Sequence, residues 1–525
     1  MASLRGFKGE LPPERFNMAA YCLGPSPARK PAREALLVLR DPDTPRVTEA
    51  WTYAQLEDAV LRIASGLLAA GHRPGERFVI RLDNTSDYAL LFFGAIAAGL
   101  VPMPASAALT AREVEFVLKD SAATGIAVTD TLPVGEIPSG VRIFEASDIS
   151  RLRTKHGRAE FADTSRDDPA FLVYTSGTTA HPKGVLHAQR SVWGRRPMYQ
   201  GWYGIESSDR VLHAGAFNWT YTLGTGLSDP WANGCTSLVF TDERDPAVWL
   251  RIAERHKATL FAGVPSVYRQ LLKYGEVEKY DLSSLRHGLT AGEHLPEAVI
   301  DEWVGRSGGI KLYEALGMSE ISTFISSSPS VPPRRGAVGK PQAGRDVAII
   351  PVDGGVEPLP AGETGLIAIH RTDPGLMLHY WQRPEEQERM FRGDWFIGGD
   401  LGIMDEDGYI THGGRNDDIM NALGYRVSPN EIEEVLATHP AIQETAAAEI
   451  RVRRDLSVIG AFIVLREGAA ASADDIRAFA ARSLAAYKVP REYVFLTELP
   501  HTANGKVKRA DLRRAYAARA ASAGG

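Results

Sequence analysis

Segments with helical and strand-like patterns alternate along most of the chain, and this alternation constrains the fold strongly. Thr52-Tyr-Ala-Gln55 has the pattern of a capping box, and Leu56, Val60, Ile63 and Leu67 follow on one helical face. Short apolar stretches typical of buried strands occur at residues 78–81, 100–103, 125–128, 211–213, 237–240 and 260–262. The alternation predicts an α/β fold of layered helices and largely parallel sheets.

The pattern changes after about residue 415. Ser428, Pro429 and Glu431 combine a helix cap, a proline at the first helical position and a capping glutamate. A strand at 457–465, a helix at 474–486 and a strand at 492–496 follow. We therefore expect a large N-terminal domain at residues 1–414 and a small α+β C-terminal domain at 415–525.

Composition excludes several classes of protein. The net charge of −6 gives no basic surface for nucleic acid or an anionic membrane. The uncharged run at 88–111 contains Gly94, Gly99, Pro102 and Pro104, so a buried helix followed by a strand is expected there and not a membrane span. The chain has two cysteines and its first residues lack an apolar signal core, which predicts a cytoplasmic protein without a disulfide framework or zinc cluster. We expect a monomer or a homodimer.

One loop carries the clearest chemical signal. Residues 169–174 have the pattern of a short buried strand, and Tyr174-Thr-Ser-Gly-Thr-Thr-Ala-His-Pro-Lys-Gly184 follows. A strand that enters a loop rich in Gly, Ser and Thr gathers backbone N–H groups around a polyphosphate. The order of residues differs from a Walker P-loop, so the loop predicts ATP binding of another kind. On composition alone, a surface turn is the alternative.

The full string resembles the phosphate loop of the adenylate-forming superfamily, which includes acyl- and aryl-CoA synthetases, luciferases and peptide-synthetase adenylation domains. The residues that match are Thr175, Ser176, Gly177, Thr178, Thr179, Pro182, Lys183 and Gly184. Ala180 departs from the usual glycine. Further motifs occur in the family's order from about residue 30 to residue 515, and the pattern is most similar to that of medium-chain acyl-CoA and benzoate-type CoA ligases.

The resemblance implies a set of nucleotide-binding residues. The 289–294 segment implies contact with the adenine through Gly292, Glu293 and His294, and the 313–320 segment places Glu314 near the adenine edge. Leu316 replaces the family's aromatic residue beside the adenine. The remaining members of the implied ATP and AMP site are the loop residues Thr175, Ser176, Gly177, Thr178, Thr179 and Lys183, then Ala315, Gly317, Met318 and Ser319, and finally Asp400, Arg415 and Lys506.

Three of these residues are implied to be catalytic: Thr175, Glu320 and Lys506. Glu320 would hold Mg²⁺, and Ser319 would touch the α-phosphate. Asp400 would accept hydrogen bonds from the ribose hydroxyls, as acidic residues do in other nucleotide sites. Lys506 matches the family's P-x-T-x-x-G-K element; a basic tail is the structural alternative, because several Lys and Arg residues follow.

The resemblance also implies the positions of the acid and thiol sites. The acid pocket would be formed by Phe217, Trp219, Tyr221, Ala262, Gly263, Ala291 and Gly317. Asp417 matches the hinge about which the C-terminal domain rotates, although a turn or helix cap would also suit it. Gly424, Tyr425 and Arg426 match the segment that lines the thiol entry, where glycine leaves room for the pantetheine arm.

The implied reaction uses ATP, Mg²⁺ and coenzyme A. A carboxylate attacks the α-phosphorus of ATP, and the thiol of CoA then displaces AMP from the acyl-adenylate. Joining two anions requires charge neutralisation and positioning, which Lys183, Glu320 with Mg²⁺ and Lys506 would supply. The expected acid is small and aromatic, or aliphatic of short to medium length. Loading of a carrier protein, luminescence chemistry and non-catalytic nucleotide binding on the same scaffold are the alternatives.

Overall fold

The computed structural model describes residues 4–523 except 5, 8, 130, 131, 133, 176–181, 243, 244, 294, 417–419, 423, 424, 454, 455, 485, 487, 503 and 504. For residues 421, 422, 425, 426, 453, 456 and 520–523 only the backbone is described. Within this part of the chain, helices pack against several sheets, and a small group of strands and helices follows residue 415.

The largest sheet in the described residues has nine strands. Their spatial order is Lys340–Pro341, Ser322–Ser326, Leu312–Met318, His287–Ala291, Leu260–Gly263, Arg210–His213, Thr236–Phe240, Glu34–Arg40 and Arg46–Thr52. The strands from Leu312–Met318 to Glu34–Arg40 are parallel, and the outer strands are antiparallel. The carboxyl ends of the parallel strands therefore meet at one edge, where α/β folds commonly bind ligands.

A second parallel sheet lies on the N-terminal side. Its four described strands run in the order Val101–Pro104, Arg77–Arg81, Gly125–Val128 and Arg142–Phe144. Helix Ser86–Ala97 is buried along its whole length and packs in the same core as helix Tyr53–Ala69. That burial explains the long apolar run in the sequence. Among the described residues, no helix has both the length and the apolar character needed to cross a membrane.

The remaining sheets of the first 415 residues are antiparallel. One sheet of the described residues has three strands: Pro169–Thr175, Lys183–Ala188 and His379–Tyr380. The first two of these strands hold the two ends of the predicted phosphate loop. A described sheet of five contains Val347–Ile350, Thr364–His370, Phe391–Arg392, Trp395–Met404 and Ile410–Arg415.

The C-terminal part has its own core. The hairpin Met420–Ala422 and Tyr425–Val427 precedes a sheet in which Ile442–Arg453 pairs antiparallel with Leu456–Leu465, and Leu456–Leu465 pairs parallel with Glu492–Phe495. Helices Pro429–Ala437 and Ala473–Ala480 contribute Ile432, Leu436 and Ile476 to the core on one face of this sheet.

The other helices connect or cover the sheets. The α-helices are Met18–Leu23, Ala111–Ser121, Ala146–Lys155, Arg196–Met198, Thr220–Leu223, Asp229–Ala232, Val248–Arg255, Pro265–Tyr274, Glu297–Arg306, Pro384–Arg389 and Arg509–Ala523. Short 3₁₀ or π turns occupy Gln189–Arg195, Tyr199–Tyr203, Gly224–Ser228 and Val277–Lys279.

Local sequence signals predicted many of these elements. Thr52 Oγ1 accepts a hydrogen bond from the Gln55 N–H, and Gln55 Oε1 accepts one from the Thr52 N–H, so the predicted capping box is present. The strand at 125–128 has the predicted bounds. The helix expected at 474–486 is shorter, Ala473–Ala480, and begins with a capping box between Ser472 and Asp475. The layered α/β fold with parallel sheets is confirmed; the domain boundary between residues 414 and 415 stays a prediction.

Candidate active site

A cleft of about 560 Å³ lies at the carboxyl edge of the nine-stranded sheet. Its wall follows the ends of neighbouring parallel strands, with Trp219 to Tyr221, Val264, Ala291 to Glu293 and Gly317 to Ser319. Thr175 and Pro182, at the two ends of the predicted phosphate loop, also line it. Thr502, Lys506 and Lys508 of the C-terminal part close the opposite side. The cleft therefore unites most of the motifs that were spread along the sequence.

Glu320 has a buried carboxylate held by two side chains. The phenol of Tyr380 donates a hydrogen bond to Glu320 Oε1 at 2.6 Å, and Lys183 Nζ lies 3.5 Å from the same oxygen. Lys183 Nζ also lies 4.0 Å from the centre of the Tyr380 ring, a cation–π contact. Burial and the neighbouring carboxylate raise the pKa of Tyr380, so the phenol stays a donor. A carboxylate oxygen is the ligand type that Mg²⁺ prefers.

The segment before Glu320 is fixed by a histidine. His187, on strand Lys183–Ala188, has its Nε2 2.9 Å from the Ser319 carbonyl oxygen, and its ring stacks on Phe171. Burial lowers the pKa of His187 to about 4, so the imidazole is neutral near pH 7. Because a carbonyl only accepts, the proton sits on Nε2 and donates to Ser319. The peptide between Ser319 and Glu320 is thereby held from the strand that carries Lys183.

Asp400 and Arg415 lie on adjacent strands of the five-stranded sheet. They are direct partners in the register, and Arg415 Nη1 is 3.6 Å from Asp400 Oδ2. His412 Nε2 lies 3.1 Å from Asp400 Oδ1. Burial alone would raise the pKa of Asp400, but the hydrogen bond to His412 and the charges of Arg415 and Lys506 outweigh it and lower that pKa. Asp400 therefore presents a buried anion within the electrostatic reach of Lys506.

The predicted adenine segments occupy the strand ends as expected from the motif order. Gly292 has a φ of +105°, a conformation that glycine adopts easily, and it lines the cleft with Glu293. The Leu295 N–H donates to Glu314 Oε1 at 3.2 Å, which ties this turn to strand Leu312–Met318. Burial raises the pKa of Glu293 against the opposing charges of Arg269 and Lys506. Ala315 is buried and Leu316 half-buried, and neither lies among the cleft-lining residues.

Lys506 reaches the cleft from a tight loop of the C-terminal part. The Thr502 N–H donates to the Lys506 carbonyl at 2.7 Å, and the Lys506 N–H donates to Thr502 Oγ1 at 3.1 Å. His501 Nε2 lies 2.8 Å from Glu444 Oε1, which anchors the loop to strand Ile442–Arg453. The Lys506 side chain is exposed. A flexible cation at the end of an anchored loop is suited to bridging two anionic groups.

Only part of the predicted acid pocket lines the cleft. Trp219, Tyr221, Ala291 and Gly317 do so. Phe217 is 2% exposed and packs against Tyr88, with ring centres 5.5 Å apart. Ala262 and Gly263 are also buried, and Val264 is the cleft-lining residue next to them. The structure thus places these three residues behind the cleft wall.

The floor beside Gly317 is shaped by a strained turn. Ser322 has a φ of +77°, and a Cβ atom on Gly317 would lie 2.5 Å from the Ser322 carbonyl oxygen. Arg195 donates to Ser322 Oγ and forms a buried pair with Asp229 at 2.6 Å. The close approach leaves no space for a side chain at position 317.

Several predicted site residues lie outside the described residues: Ser176, Gly177, Thr178, Thr179, His294, Asp417 and Gly424. Tyr425 and Arg426 are described by their backbone, which pairs with Ala422 and Asn421 in a hairpin. Sequence reasoning missed Tyr380, His187 and His412, which contact predicted residues. Only His187 had a local signal, since it follows Lys183 by four residues on one strand.

Comparison with known proteins gives a consistent result. The family described as "AMP-binding enzyme" matches residues 25–381, and its C-terminal domain matches residues 431–506. A benzoate–CoA ligase of Thauera aromatica is 32% identical over 522 residues, covering 96% of this chain and 97% of the relative. An uncharacterised acyl–CoA ligase of Bacillus subtilis is 30% identical, with 89% and 90% covered.

Solved structures have the same fold. An anthranilate CoA ligase in complex with anthranoyl-AMP superposes with a TM-score of 0.86 at 30% identity, covering 97% of this chain and 99% of that one. A benzoate CoA ligase of Burkholderia xenovorans has a TM-score of 0.85 at 28% identity, with 95% and 100% covered. The chain belongs to the AMP-binding enzyme family. The resemblance to acyl- and aryl-CoA ligases is confirmed, and with it the expected class, an AMP-forming acid–thiol ligase.

Proposed function

We propose that this chain is an ATP-dependent carboxylic acid–CoA ligase. In the first step a carboxylate oxygen attacks the α-phosphorus of ATP, the bond from the α-phosphorus to the bridging oxygen breaks, and pyrophosphate leaves. In the second step the CoA sulfur attacks the acyl carbon, the acyl–oxygen bond breaks, and AMP leaves. The thiol proton passes to solvent. No side chain needs to form a covalent intermediate.

The observation that carries the proposal is the convergence of Lys506, Glu320 and Asp400 around one cleft. Lys506 and the residues beside Glu320 line it, and Asp400 is within the electrostatic reach of Lys506. Attack on the α-phosphorus brings two anions together, so a mobile cation near the reacting groups lowers the barrier. Asp400 would fix the ribose, and Lys506 would bridge the carboxylate and the α-phosphate.

Lys183 and Thr175 are proposed to bind the phosphates that leave. Both lie at the ends of the predicted phosphate loop, and the partly buried Lys183 lies 3.5 Å from Glu320. Glu320 fits Mg²⁺ because its carboxylate is buried and oriented by Tyr380. When bound, the ion would share the negative charge of the phosphates. In the described residues no cluster of three metal-ligating side chains occurs, so the proposal rests on Glu320 together with the substrate phosphates.

The proposed acid is small and aromatic, or aliphatic of short to medium length. Relatives with similar chains act on benzoate and anthranilate by name. Trp219 and Tyr221 give the cleft flat apolar walls, and Tyr221 stacks on Trp202 with ring centres 5.7 Å apart. An aromatic ring between such walls gains both burial and ring–ring contact. Ala291 and Gly317 leave the space in which the ring would lie.

The site of CoA is proposed from the sequence motifs. Gly424, Tyr425 and Arg426 would line the thiol entry after the C-terminal domain rotates about Asp417. The first half-reaction needs Lys506 in the cleft and the second needs the thiol-entry segment there; such a rotation would exchange the two.

A panel of acids tests the proposal. Purified protein, ATP, Mg²⁺ and CoA would be incubated with benzoate, 2-aminobenzoate, butyrate, octanoate, palmitate and phenylalanine. We expect AMP and an acyl-CoA in equal amounts with benzoate, 2-aminobenzoate or the shorter aliphatic acids. Turnover of palmitate or phenylalanine alone would contradict the proposed acid class. No AMP release with any acid, despite ATP binding, would favour the non-catalytic alternative.

The molecule that accepts the acyl group distinguishes a CoA ligase from an enzyme that loads a carrier protein. If acid-dependent pyrophosphate exchange occurs but CoA does not accept the acyl group, a phosphopantetheinylated carrier protein replaces CoA in the same assay. Light emission without an acceptor would indicate luminescence chemistry.

A cytoplasmic location is also proposed. Cys22 and Cys235 are buried free thiols, which suits a protein of a reducing compartment.

The oligomeric state is proposed to be a monomer or a homodimer. Light scattering during gel filtration would decide between the two.

A further inference from the structure

One face of helix Pro265–Tyr274 contacts the C-terminal part of the chain. The helix begins directly after the cleft-lining Val264, and its apolar side chains Tyr268, Leu271 and Leu272 are buried in the core. Ser266, Arg269 and Lys273 follow the spacing of three and four residues that places side chains on one helical face. This face points away from the core, toward the loop of Lys506 and strand Ile442–Arg453.

The first contact involves Ser266 and the loop of Lys506. Gly505 has a φ of +83°, and a Cβ atom added to it would lie 2.8 Å from Ser266 Oγ. The backbone next to Lys506 therefore rests against the first turn of the helix. A bulkier side chain at position 266 would push this backbone out of the cleft.

The second contact lies at the other end of the helix. Lys273 Nζ donates to Gln443 Oε1 at 3.0 Å. Ser266 and Lys273 are seven residues apart, so the two contacts are separated by about 10 Å along the helix. Two contacts at this separation restrict the orientation of the C-terminal part against the helix more strongly than a single contact would.

Electrostatics supports the same docking. Arg269 Nη1 lies 3.9 Å from Glu293 Oε2, between the two contacts. Glu293 Oε1 is buried and has no hydrogen-bond partner among the described residues. Its negative charge acts on Lys506, His501 and Arg509, all from the C-terminal part. The Glu293 carboxylate therefore lies within the electrostatic reach of two permanent cations of the C-terminal part, Lys506 and Arg509.

We propose that the helix face carrying Ser266, Arg269 and Lys273 is the docking surface that holds the C-terminal domain in the orientation for adenylation. Ser266 is then a positioning residue that sets how far Lys506 enters the cleft. The inference rests on the proposed function, because it assigns this orientation to the first of the two half-reactions.

Ser266→Leu tests the proposal. Acid-dependent pyrophosphate exchange measures the first half-reaction, and AMP release from synthetic benzoyl-adenylate and CoA measures the second. We expect Ser266→Leu to lower exchange on the order of a hundredfold, since small displacements of catalytic groups have effects of that size. The second half-reaction, in which Lys506 has left the cleft, should change less than about twofold.

Two controls accompany the variant. Ser266→Ala removes only the hydroxyl and adds no bulk against Gly505, so the loop is not displaced and both half-reactions should be kept. Ser150→Leu makes the same change at an exposed position of helix Ala146–Lys155 and should leave both half-reactions unchanged. Equal loss of both half-reactions in Ser266→Leu, or full retention of exchange, would overturn the proposal. If wild-type protein lacks both half-reactions, the proposed function fails instead.

A cross-link gives an independent test. The double variant Lys273→Cys/Gln443→Cys would be joined by a short bismaleimide; Cys22 and Cys235 are buried, and burial raises the pKa of both thiols, so they react slowly. We expect the cross-linked protein to retain pyrophosphate exchange and to lose transfer from benzoyl-adenylate to CoA. Loss of exchange on cross-linking, with the untreated double variant active, would contradict docking in the adenylation orientation.

Discussion

The Tyr380 phenol donates a hydrogen bond to the Glu320 carboxylate, and the two oxygens lie 2.6 Å apart in a buried part of the site. The two residues are 60 positions apart in the chain and come together because strand His379–Tyr380 pairs with strand Lys183–Ala188. The carboxylate proposed to hold Mg²⁺ is thus oriented by the same sheet that holds the phosphate loop. A side chain that hydrogen-bonds to a metal-binding carboxylate commonly tunes the affinity of the site for the metal.

Tyr380→Phe should weaken the use of Mg²⁺. A hydrogen bond to a charged group is worth about 1.5–3 kcal/mol, so its loss should lower pyrophosphate exchange at low Mg²⁺ by roughly tenfold or more. Higher Mg²⁺ should restore part of the rate. Exchange measured over a series of Mg²⁺ concentrations checks this. Tyr409→Phe, which removes a hydrogen bond to the Pro332 carbonyl away from the cleft, is the control; identical Mg²⁺ curves for both variants would contradict the role of Tyr380.

Lys506→Ala should separate the two half-reactions. Loss of a cation that stabilises transition-state charge lowers rates on the order of 10²–10³-fold, so exchange should nearly vanish. Transfer from synthetic acyl-adenylate to CoA should remain, because the α-phosphorus is no longer attacked. Arg513→Ala, at an exposed position of the following basic helix Arg509–Ala523, is the matched control and should keep most of the exchange activity. Equal effects of the two variants would favour a nonspecific basic tail.

Asp400→Asn should raise the KM for ATP. The carboxylate is held by His412 and Arg415, and the amide keeps its shape while losing the charge that accepts from ribose hydroxyls. We expect an increase of roughly tenfold, the effect of one hydrogen bond to a charged group. Steady-state kinetics with varied ATP measures it. Asp405→Asn, which breaks an exposed pair with Arg334, should leave the KM unchanged.

The fold was predictable where a single segment carries its own signal. Capping boxes such as that of Thr52 and Gln55, and buried strands such as Gly125–Val128, depend on residues that are adjacent in sequence. The antiparallel five-stranded sheet had no such signal, because its strands pair over long distances and their partners depend on the whole fold. The same limit applies to strand Ile442–Arg453, which is rich in alanine and charged residues.

The candidate site shows a similar division. Motif order singled out Glu320, Asp400 and Lys506. In the structure Lys506 lines the cleft, Glu320 directly follows the cleft-lining Ser319, and Asp400 is within the electrostatic reach of Lys506. Tyr380 and His412 could not be inferred, since each acts only through a side chain distant in sequence. Phe217 lies behind the cleft wall because its ring is needed in the core beside Tyr88, a packing relation that spacing alone does not reveal.

Stability should fall in mild acid because of buried neutral histidines. Burial lowers the pKa of His287 to about 4 from an ordinary value of 6.5. Its contribution to stability is therefore complete above pH 6.5 and is lost as the pH falls toward the folded pKa, since the unfolded chain binds the proton first. The loss between about pH 7 and about pH 5 is about 2 kcal/mol for one such histidine.

His287→Gln tests this dependence. The variant should be less stable than wild type at neutral pH, because His287 Nε2 donates to the Tyr203 carbonyl at 2.7 Å. The difference in free energy of unfolding should narrow as the pH falls. Urea titrations at about pH 7 and about pH 5 measure the free energy of unfolding of both proteins. An equal difference between the proteins at the two pH values would contradict the low pKa of His287.

The most direct measurement follows an oxygen atom. Benzoate labelled with ¹⁸O in its carboxylate, or another accepted acid labelled in the same way, is turned over with ATP and CoA, and the AMP and pyrophosphate are analysed by mass spectrometry. Attack of the carboxylate on the α-phosphorus predicts one ¹⁸O atom in each AMP and none in pyrophosphate. Unlabelled AMP formed together with acyl-CoA would show that no acyl-adenylate is made and would contradict the proposed mechanism.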